Sequence, residues 1–144
     1  MSVASILKGK GRGVIAENAE TLLVNICKVL GDKKIGAILI TDPDGRIEGI
    51  ISERDVVKAV GQQGSSALDL PVGQVMTKSV ITCTEGDSVN SVMSKMSEGR
   101  FRHVPVVDQD QVAVGVISIG DVVKHKIAQV ELEAEQMRSY ISTP

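Results

Sequence analysis

Aromatic side chains are almost absent from this sequence. Among its 144 residues there are one Phe, one Tyr and no Trp, so the hydrophobic core has to be built from Val, Ile, Leu and Met. Proteins that recognise the bases of single-stranded nucleic acids generally stack them on aromatic rings. The scarcity of such rings therefore argues against that class of function.

The sequence also lacks an excess of either charge. It has 16 basic and 18 acidic residues and a formal net charge of −2, without the basic stripe that binds a nucleic-acid backbone. No apolar run reaches the roughly 18 residues of a membrane-spanning helix, and no long apolar segment precedes a cleavage site near the N-terminus. We expect a soluble cytoplasmic protein that binds neither nucleic acid nor membrane.

Motifs of metal binding and catalysis are missing as well. Cys27 and Cys83 have no zinc-ligand spacing and are predicted to be small buried hydrophobes. His103 has no Cys, Asp or second His at ligand spacing, so no metal is expected, and His125 is placed on the exposed last helix without a role. Residues 9–13 lack the ending of a phosphate loop and are predicted to be a flexible surface connection. Because no catalytic motif appears, we expect no enzyme.

One stretch of the sequence occurs twice. Residues 49–58 read Gly-Ile-Ile-Ser-Glu-Arg-Asp-Val-Val-Lys, and residues 115–124 read Gly-Val-Ile-Ser-Ile-Gly-Asp-Val-Val-Lys, at an offset of 66 residues. A fixed internal period indicates two copies of one supersecondary unit. A copy of about 60 residues is only marginally stable alone, so we expect the copies to share a core. Residues 1–72, with an N-terminal segment and a linker, form the predicted first repeat, and residues 73–144, with an extended C-terminal helix, the second.

The apolar pattern predicts the same order of elements in both copies, namely strand, helix, strand, strand, helix. This order is typical of an α/β (α+β) fold in which helices flank a small sheet. The predicted elements are residues 14–16, 20–30, 38–40, 47–51 and 53–62 in the first copy, and residues 80–82, 88–98, 104–107, 112–118 and the last helix in the second. Gly31 is predicted to end the first helix, and residues 61–73 to form the linker.

The last helix differs from its counterpart because its apolar residues continue at spacings of four and three. This heptad pattern predicts an apolar seam that runs past the end of the repeat. We expect a homodimer in which these helices contact the other subunit. In the alternative, the tail folds back on its own chain or frays. The seam consists of Val123, Ile127, Val130, Ala134, Met137 and Ile141.

The repeated motif permits two interpretations. A Ser at the end of a strand, with an Asp three residues later, is the pattern of an N-terminal capping box, which pairs Ser52 with Asp55 and Ser118 with Asp121. Alternatively, a carboxylate held at such a turn can accept both hydrogen bonds from the cis-diol of a ribose, while the helix N-terminus attracts a phosphate. The glycine that begins each motif predicts a close approach to the backbone at that point.

The motif of Gly, two apolar residues, Ser, two further residues and Asp, present twice, resembles that of the cystathionine-β-synthase (CBS) domain pair, or Bateman module. Residues 102–108, Arg-His-Val-Pro-Val-Val-Asp, are similar to the same family, and the resemblance covers nearly the whole chain. It implies two CBS repeats related by a pseudo-twofold axis, with clefts between them that bind adenosine-containing ligands.

In the family that this chain resembles, the motif Asp holds the ribose and the backbone of the preceding strand contacts the adenine. Cations near these positions are candidates for binding phosphates. The residues implied are Ser52, Asp55, Ser118 and Asp121 for the ribose, Ile15, Ala16, Ala37, Ile38, Ile81, Thr82, His103, Val104 and Pro105 for the adenine, and Lys34, Arg54, Arg100, Arg102 and His103 for phosphates.

The expected function is therefore that of a regulatory sensor module. It binds AMP, ADP, ATP or NAD(H), requires no metal, and passes its occupancy to an unidentified partner protein. Two alternatives stay open from the sequence: a scaffold that only forms an oligomer and binds no ligand, and a small nucleotide-processing enzyme.

Overall fold

The computed structural model describes residues 1–142, which contain five α-helices and five β-strands. Two short 3₁₀ helices, Gly64–Asp69 and Val72–Gln74, lie between the third and fourth α-helices. This mixed composition confirms the predicted α/β class. Residues 143 and 144, the last two of the predicted second repeat, lie outside the described residues. In chain order the elements are α1 (Val3–Lys10), β1 (Ala16–Glu17), α2 (Leu23–Lys33), β2 (Ala37–Thr41), β3 (Ile47–Ser52), α3 (Glu53–Gln63), α4 (Val89–Gly99), β4 (His103–Val107), β5 (Ala113–Ser118) and α5 (Ile119–Ser142).

The offset of 66 residues is reproduced in the bounds of the elements. It relates α2 to α4, β2 to β4 and β3 to β5, and it relates the first residue of α3 to the first residue of α5. Both hairpins also carry a register break at the equivalent place, between Ile40 and Thr41 and between Val106 and Val107. The repeated sequence therefore folds into repeated structure, element by element.

The prediction that Gly31 ends the first helix is wrong. Helix α2 continues through Gly31 to Lys33 and is capped by Lys34, which adopts the left-handed conformation with a φ of 53°. Arg100 caps α4 in the same way, with a φ of 56°. A glycine inside a helix costs only about 1 kcal/mol, and the burial of the preceding residue, Leu30, offsets that cost.

The strands form two small sheets. In the first, β1 pairs in parallel with β2, which pairs antiparallel with β3; in the second, β4 pairs antiparallel with β5. The strand predicted at residues 80–82 does not form, and a single parallel bridge between Cys83 and Val106 stands in its place. The carbonyl of Thr82 accepts a hydrogen bond from the ammonium of Lys95 at 2.9 Å.

The buried residues form two clusters rather than the single shared core that the sequence predicts. The first cluster contains residues of α2, β2 and β3, together with Ala67 and Val72 from the predicted linker. Both of these side chains are fully buried, so the predicted linker packs on the first repeat through these two residues, while its first three residues, 61–63, belong to α3. The second cluster contains residues of α4, β4 and β5, together with Val3, Ile6 and Leu7 of α1.

Each cluster is thus completed by a segment that precedes the other repeat in sequence, and we call residues 1–10 and 64–77 the entry segments. The N–H of Val3 donates to the carbonyl of Asp87 at 2.9 Å, and the N–H of Val72 donates to the carbonyl of Thr21 at 2.7 Å. These contacts hold each entry segment on the core that it completes. The predicted division after residue 72 places α1 with the first repeat, whereas its buried side chains lie in the core of the second.

The predicted close approach at the motif glycines is confirmed. A Cβ on Gly49 would lie 2.5 Å from Sδ of Met76, and a Cβ on Gly115 would lie 2.7 Å from Cδ2 of Leu7. Real Cβ atoms do not come so close, so any larger residue would displace these neighbours. In both repeats the approaching group belongs to the entry segment that completes the core.

Helix α5 continues as one helix to Ser142, so the tail does not fold back on its own chain. The ring of His125, predicted to be exposed, is half-buried, and its Nε2 has no hydrogen-bond partner among residues 1–142. No helix in this described range is both long and apolar enough to cross a membrane. Between 49% and 75% of each of the following seam residues is exposed: Val123, Ile127, Val130, Met137 and Ile141.

Candidate functional site

Two clefts lie between the repeats, one beside each copy of the repeated motif. The first cleft has a cavity volume of about 730 Å³, which falls within the range of small-molecule sites. It brings motif residues of the first repeat next to cationic residues of the second. Seven of the predicted ligand-binding residues line it together: Ser52, Arg54, Asp55, Ile81, Arg100, Arg102 and His103.

A capping box holds Asp55 at the wall of the first cleft, where β3 ends and α3 begins. Oδ2 of Asp55 accepts hydrogen bonds from the N–H of Ser52 at 2.9 Å and from its hydroxyl at 3.0 Å. In return, the N–H of Asp55 donates to the hydroxyl of Ser52 at 3.3 Å. The capping interpretation of the motif is therefore confirmed.

The capping box leaves the other carboxylate oxygen of Asp55 able to bind a ligand. Within residues 1–142, Oδ1 accepts one long hydrogen bond, from the hydroxyl of Thr77 at 3.3 Å. A carboxylate oxygen has more than one lone pair and can accept further bonds. One side chain can thus cap the helix and also accept a hydrogen bond from a ribose.

Three arginines give the first cleft a positive side. Arg54 lies in the first turn of α3, Arg100 caps the C-terminus of α4, and Arg102 directly precedes β4. None of the three forms an ion pair with another residue of the described chain, although Glu53 and Asp55 line the same cleft. Because guanidinium groups bind phosphate oxygens in a planar, bidentate geometry, this side of the cleft suits a phosphate group.

His103 lies between the two clefts and lines both of them. Its ring packs on Gly36, where a Cβ would lie 3.2 Å from the imidazole. Burial lowers the pKa of His103 and the nearby Lys10 lowers it further, against the opposing effects of Glu53 and Asp121. This lowered pKa disfavours the charged imidazole, so the arginines are the stronger candidates for binding a phosphate.

The second cleft is smaller, with a cavity volume of about 360 Å³. Its motif forms the same capping interactions, since the N–H of Ser118 donates to Oδ2 of Asp121 at 2.9 Å and the N–H of Asp121 donates to the hydroxyl of Ser118 at 3.1 Å. Besides the shared His103, four predicted ligand-binding residues line this cleft: Ile15, Lys34, Ala37 and Ser118.

Lys10, the last residue of α1, engages the carboxylate of the second motif. Its ammonium donates to Oδ2 of Asp121 at 2.6 Å and to the carbonyl of Val116 at 2.6 Å. Burial raises the pKa of the Asp121 carboxyl, but hydrogen bonds from Lys10 and Ser118 outweigh burial, so the pKa lies below its ordinary value. Lys10 lines the second cleft, whereas Asp121 does not.

The remaining predicted residues do not line a cleft. Ile38, Val104 and Pro105 have buried side chains, so only their backbone groups are placed to contact a ligand. Ala16 is exposed on β1. Thr82 has its carbonyl bound by a lysine. The residues outside both linings are Ala16, Ile38, Thr82, Val104, Pro105 and Asp121.

Several lining residues are not predicted by the sequence. Lys10 is missed because residues 9–13 are interpreted as a surface connection, although the apolar residues before it have helical spacing. Thr77 and Phe101 are missed because both lie outside the repeated motif. The repeat offset relates Phe101 to Ile35, which lines the second cleft, so mapping one lining onto the other would have identified the aromatic residue.

A comparison with protein-family models matches the CBS domain twice, over residues 12–62 and 72–128. A curated relative, the mitochondrial CBS domain-containing protein CBSX3 of Arabidopsis thaliana, is 28% identical over 148 residues, which cover 97% of this chain and 71% of that protein. The chain spans only 22% of the length of two further relatives from the same plant.

Solved structures show the same similarity over both repeats. A CBS-domain containing protein from Agrobacterium tumefaciens is 41% identical, with a TM-score of 0.84 over 88% of this chain and 99% of that one. A CBS domain protein from Pyrobaculum aerophilum, complexed with AMP, is 26% identical, with a TM-score of 0.80 over 93% of this chain and 99% of that one. A CBS domain pair in complex with 5′-methylthioadenosine and S-adenosyl-L-methionine is 28% identical, with a TM-score of 0.81 over 90% and 98% of the two chains. This chain therefore belongs to the CBS domain family, as a pair of CBS domains.

Proposed function

We propose that this CBS domain pair binds an adenine nucleotide in the first cleft and passes its occupancy to a partner protein. The observation that carries the proposal is the placement of Asp55, whose carboxylate lines a cavity of about 730 Å³ beside three arginines that form no ion pair with the other described residues. The related CBS domain structures complexed with AMP, 5′-methylthioadenosine and S-adenosyl-L-methionine support the ligand class, since all three molecules contain adenosine.

Each part of the nucleotide has its own contact in this proposal. The carboxylate of Asp55 accepts hydrogen bonds from the ribose diol, with the hydroxyl of Ser52 beside it. Arg54, Arg100 and Arg102 bind the phosphates, and the apolar wall of the cleft covers the adenine. AMP, ADP, ATP and NAD(H) all meet these requirements. The equivalent residues of the second cleft form a second candidate site.

The proposed site requires no metal ion. The arginines already supply positive charge to the phosphates, so a bridging cation is not needed for charge balance. Across the described part of the chain, no three His, Cys, Asp or Glu side chains are grouped so as to hold a metal. Binding and signalling, rather than catalysis, is the function proposed, because the sequence carries no catalytic motif.

Calorimetry with a panel of nucleotides tests the proposal. We expect AMP, ADP, ATP or NADH to bind and to raise the melting temperature, because a ligand that binds only the folded state stabilises it. GMP and IMP should bind more weakly if backbone groups read the adenine edge. Absence of binding by every adenine nucleotide at millimolar concentration would refute the proposal and favour the ligand-free scaffold, whereas turnover of a nucleotide would favour the enzyme.

We also propose that the chain forms a homodimer through α5. The seam residues Val130, Met137 and Ile141 lie beyond the part of α5 that matches α3, and each is more than 60% exposed. A partner helix would remove these side chains from water, and a twofold dimer is the commonest symmetric arrangement.

The regulated partner and the cellular location stay predictions from the sequence. A protein partner is proposed, rather than nucleic acid or membrane, because the charges are balanced in number and no basic stripe is present in the sequence. The cytoplasm is proposed as the location, although one relative, from Arabidopsis thaliana, is named as mitochondrial. Fractionation of cells that express the tagged chain would distinguish these compartments.

A further inference from the structure

The two motif carboxylates receive hydrogen bonds from different kinds of donor. In the first cleft, Thr77 donates from its N–H to the carbonyl of Ile50 at 2.9 Å and from its hydroxyl to Oδ1 of Asp55 at 3.3 Å. In the second cleft, the equivalent acceptors are the carbonyl of Val116 and the carboxylate of Asp121. Both accept from the ammonium of Lys10, at 2.6 Å each. A neutral residue thus contacts the motif carboxylate in one cleft and a cation contacts it in the other, but on different oxygens: Thr77 binds the oxygen of Asp55 that takes no part in capping, whereas Lys10 binds Oδ2 of Asp121, which also accepts the capping bond from Ser118.

This difference changes the charge of the carboxylate that a ribose would meet. A hydroxyl at 3.3 Å is a weak, neutral donor, and Oδ1 of Asp55 can exchange it for a ribose hydroxyl or accept both. Lys10 forms a charge-assisted bond, which is shorter and roughly twice as strong as a neutral one. None of the described residues donates a hydrogen bond to Oδ1 of Asp121, so a ribose would not displace Lys10; it would meet a carboxylate whose charge the ammonium already balances, and such a carboxylate is a weaker acceptor. The ion pair is only partly exposed, with 39% of the Lys10 side chain and 22% of the Asp121 side chain accessible.

The two cavities also differ in size, and the second offers less room to a ligand. The second cleft has about half the volume of the first, about 360 Å³ against about 730 Å³, and Lys10 is one of the residues that line it while Asp121 is not. Lys10 belongs to α1, whose buried Leu7 packs against Gly115. The ammonium is therefore positioned by a packed helix and not by a mobile loop.

We infer that Lys10 is the residue that makes the two clefts unequal: it closes the second cleft to ribose and limits the chain to one nucleotide, bound in the first cleft. This inference rests on the proposed nucleotide binding and adds its stoichiometry and the residue that sets it. Removal of the Lys10 side chain opens the second cleft as an additional site with Asp121 as its ribose acceptor.

Titration calorimetry with AMP measures the stoichiometry directly. The wild type should bind one AMP per chain, and Lys10→Ala should bind two. The affinity at the second cleft should rise by about 10- to 150-fold, the factor that corresponds to one hydrogen bond to a charged group. Asp55→Ala should weaken the single site of the wild type, while the double variant Asp55→Ala/Lys10→Ala should retain one AMP, bound in the second cleft.

Lys8→Ala is the matched control. Lys8 lies on the same helix, is exposed, and forms no hydrogen bond or ion pair with the other described residues, so its loss should leave one AMP per chain. Lys10→Met keeps the aliphatic stem and removes only the charge. If Lys10→Ala proves unfolded by circular dichroism, Lys10→Met carries the test and should also bind a second AMP.

The possible failures are distinguishable. If the wild type binds two AMP molecules and Lys10→Ala binds one, Lys10 is a ligand contact and the inference is wrong, although the proposed function stands. If Lys10→Ala or Lys10→Met folds but still binds one, the cleft is closed by something else and the inference is again wrong. If the wild type binds no adenine nucleotide at all, the proposed function itself fails.

Discussion

The substitution Asp55→Ala distinguishes between helix capping and ribose binding, the two functions that its carboxylate can serve. It removes two hydrogen bonds that Oδ2 accepts from Ser52 and the long one that Oδ1 accepts from Thr77. The hydroxyl of Ser52 still accepts from the backbone N–H of residue 55, so half of the box remains. We expect the free energy of unfolding to fall by about 0.5–2 kcal/mol, the usual cost of a lost cap.

The effect on ligand affinity should be larger and should depend on the ribose. A hydrogen bond to a charged group contributes about 1.5–3 kcal/mol, which corresponds to about 10- to 150-fold in affinity. Calorimetry should show this loss for AMP with Asp55→Ala. In the wild type, 2′-deoxy-AMP should lose a comparable factor relative to AMP, whereas in Asp55→Ala the two ligands should bind almost equally, because the acceptor of the diol is gone.

Ser88→Ala is the matched control for the capping effect. Ser88 caps α4, its hydroxyl accepts from the N–H of Ser91 at 3.0 Å, and it lines neither cleft. It should cost a similar free energy of unfolding and leave AMP affinity unchanged. If Asp55→Ala lowers stability as Ser88→Ala does but leaves AMP affinity intact, or if 2′-deoxy-AMP loses the same factor in both backgrounds, the carboxylate caps the helix without holding the ribose.

Three further predictions follow from the structure. Truncation after Gln129 should convert a dimer into a monomer by sedimentation; a full-length monomer at tens of micromolar would contradict the dimer, and an unchanged truncated dimer would exclude the tail as its cause. Because burial lowers the pKa of His103, the unfolded state binds a proton more readily, so the free energy of unfolding should fall as the pH drops below about 6.5; urea titrations should show a shallower fall for His103→Gln. Gly49→Ala should lower the free energy of unfolding by about 1–3 kcal/mol in urea titrations, and by more than Gly115→Ala does. The new Cβ at residue 49 would lie 2.9 Å from the backbone oxygen of Thr77, whereas at residue 115 the neighbour is a leucine side chain, which can rotate away. Equal losses of stability in the two variants would contradict this prediction.

The repeat period predicts most of the fold because similar local sequences form the same secondary-structure elements. Ser52 and Ser118 each end a strand and cap a helix, since each is followed three residues later by an Asp that completes the box. The candidate residues on these motifs and on the segments that face them can therefore be named from sequence. Lys34 and Arg100 show where such reasoning ends, because the sequence does not show that both end a helix in the left-handed conformation.

The packing of the entry segments could not be predicted in the same way, because the choice of a packing partner is not a local property. Val3 and Val72 belong to short apolar stretches beside glycine-rich segments, which are typical of surface connections. Both are buried because they pack against residues distant in sequence: the N–H of Val3 donates to the carbonyl of Asp87, and the N–H of Val72 donates to the carbonyl of Thr21. From the sequence, the first segment is predicted to be a terminal segment and the second a linker. Neither prediction indicates that the segment completes the core of a repeat.

The two entry segments are themselves related, but not by the period of the motif. Leu7 and Met76 occupy equivalent places against Gly115 and Gly49, and they are 69 residues apart in sequence rather than 66. Alignment of the chain with itself at the motif offset therefore places unrelated residues opposite each other in these segments. Self-comparison at a single offset finds the repeats and misses the pieces that complete them.

The inequality of the clefts arises in those same segments. Asp55 and Asp121 match in sequence, and each accepts a capping bond from the N–H of its motif serine, so the motif aspartates alone do not distinguish the two sites. The first entry segment, however, forms an α-helix that ends at Lys10, whereas the second forms two short 3₁₀ helices, Gly64–Asp69 and Val72–Gln74, and then a bridge between Thr77 and Ile50. A lysine side chain consequently reaches one carboxylate and a threonine hydroxyl reaches the other. The charge beside each proposed ribose acceptor, and with it the proposed number of bound nucleotides, thus depends on how a segment outside the repeated motif folds.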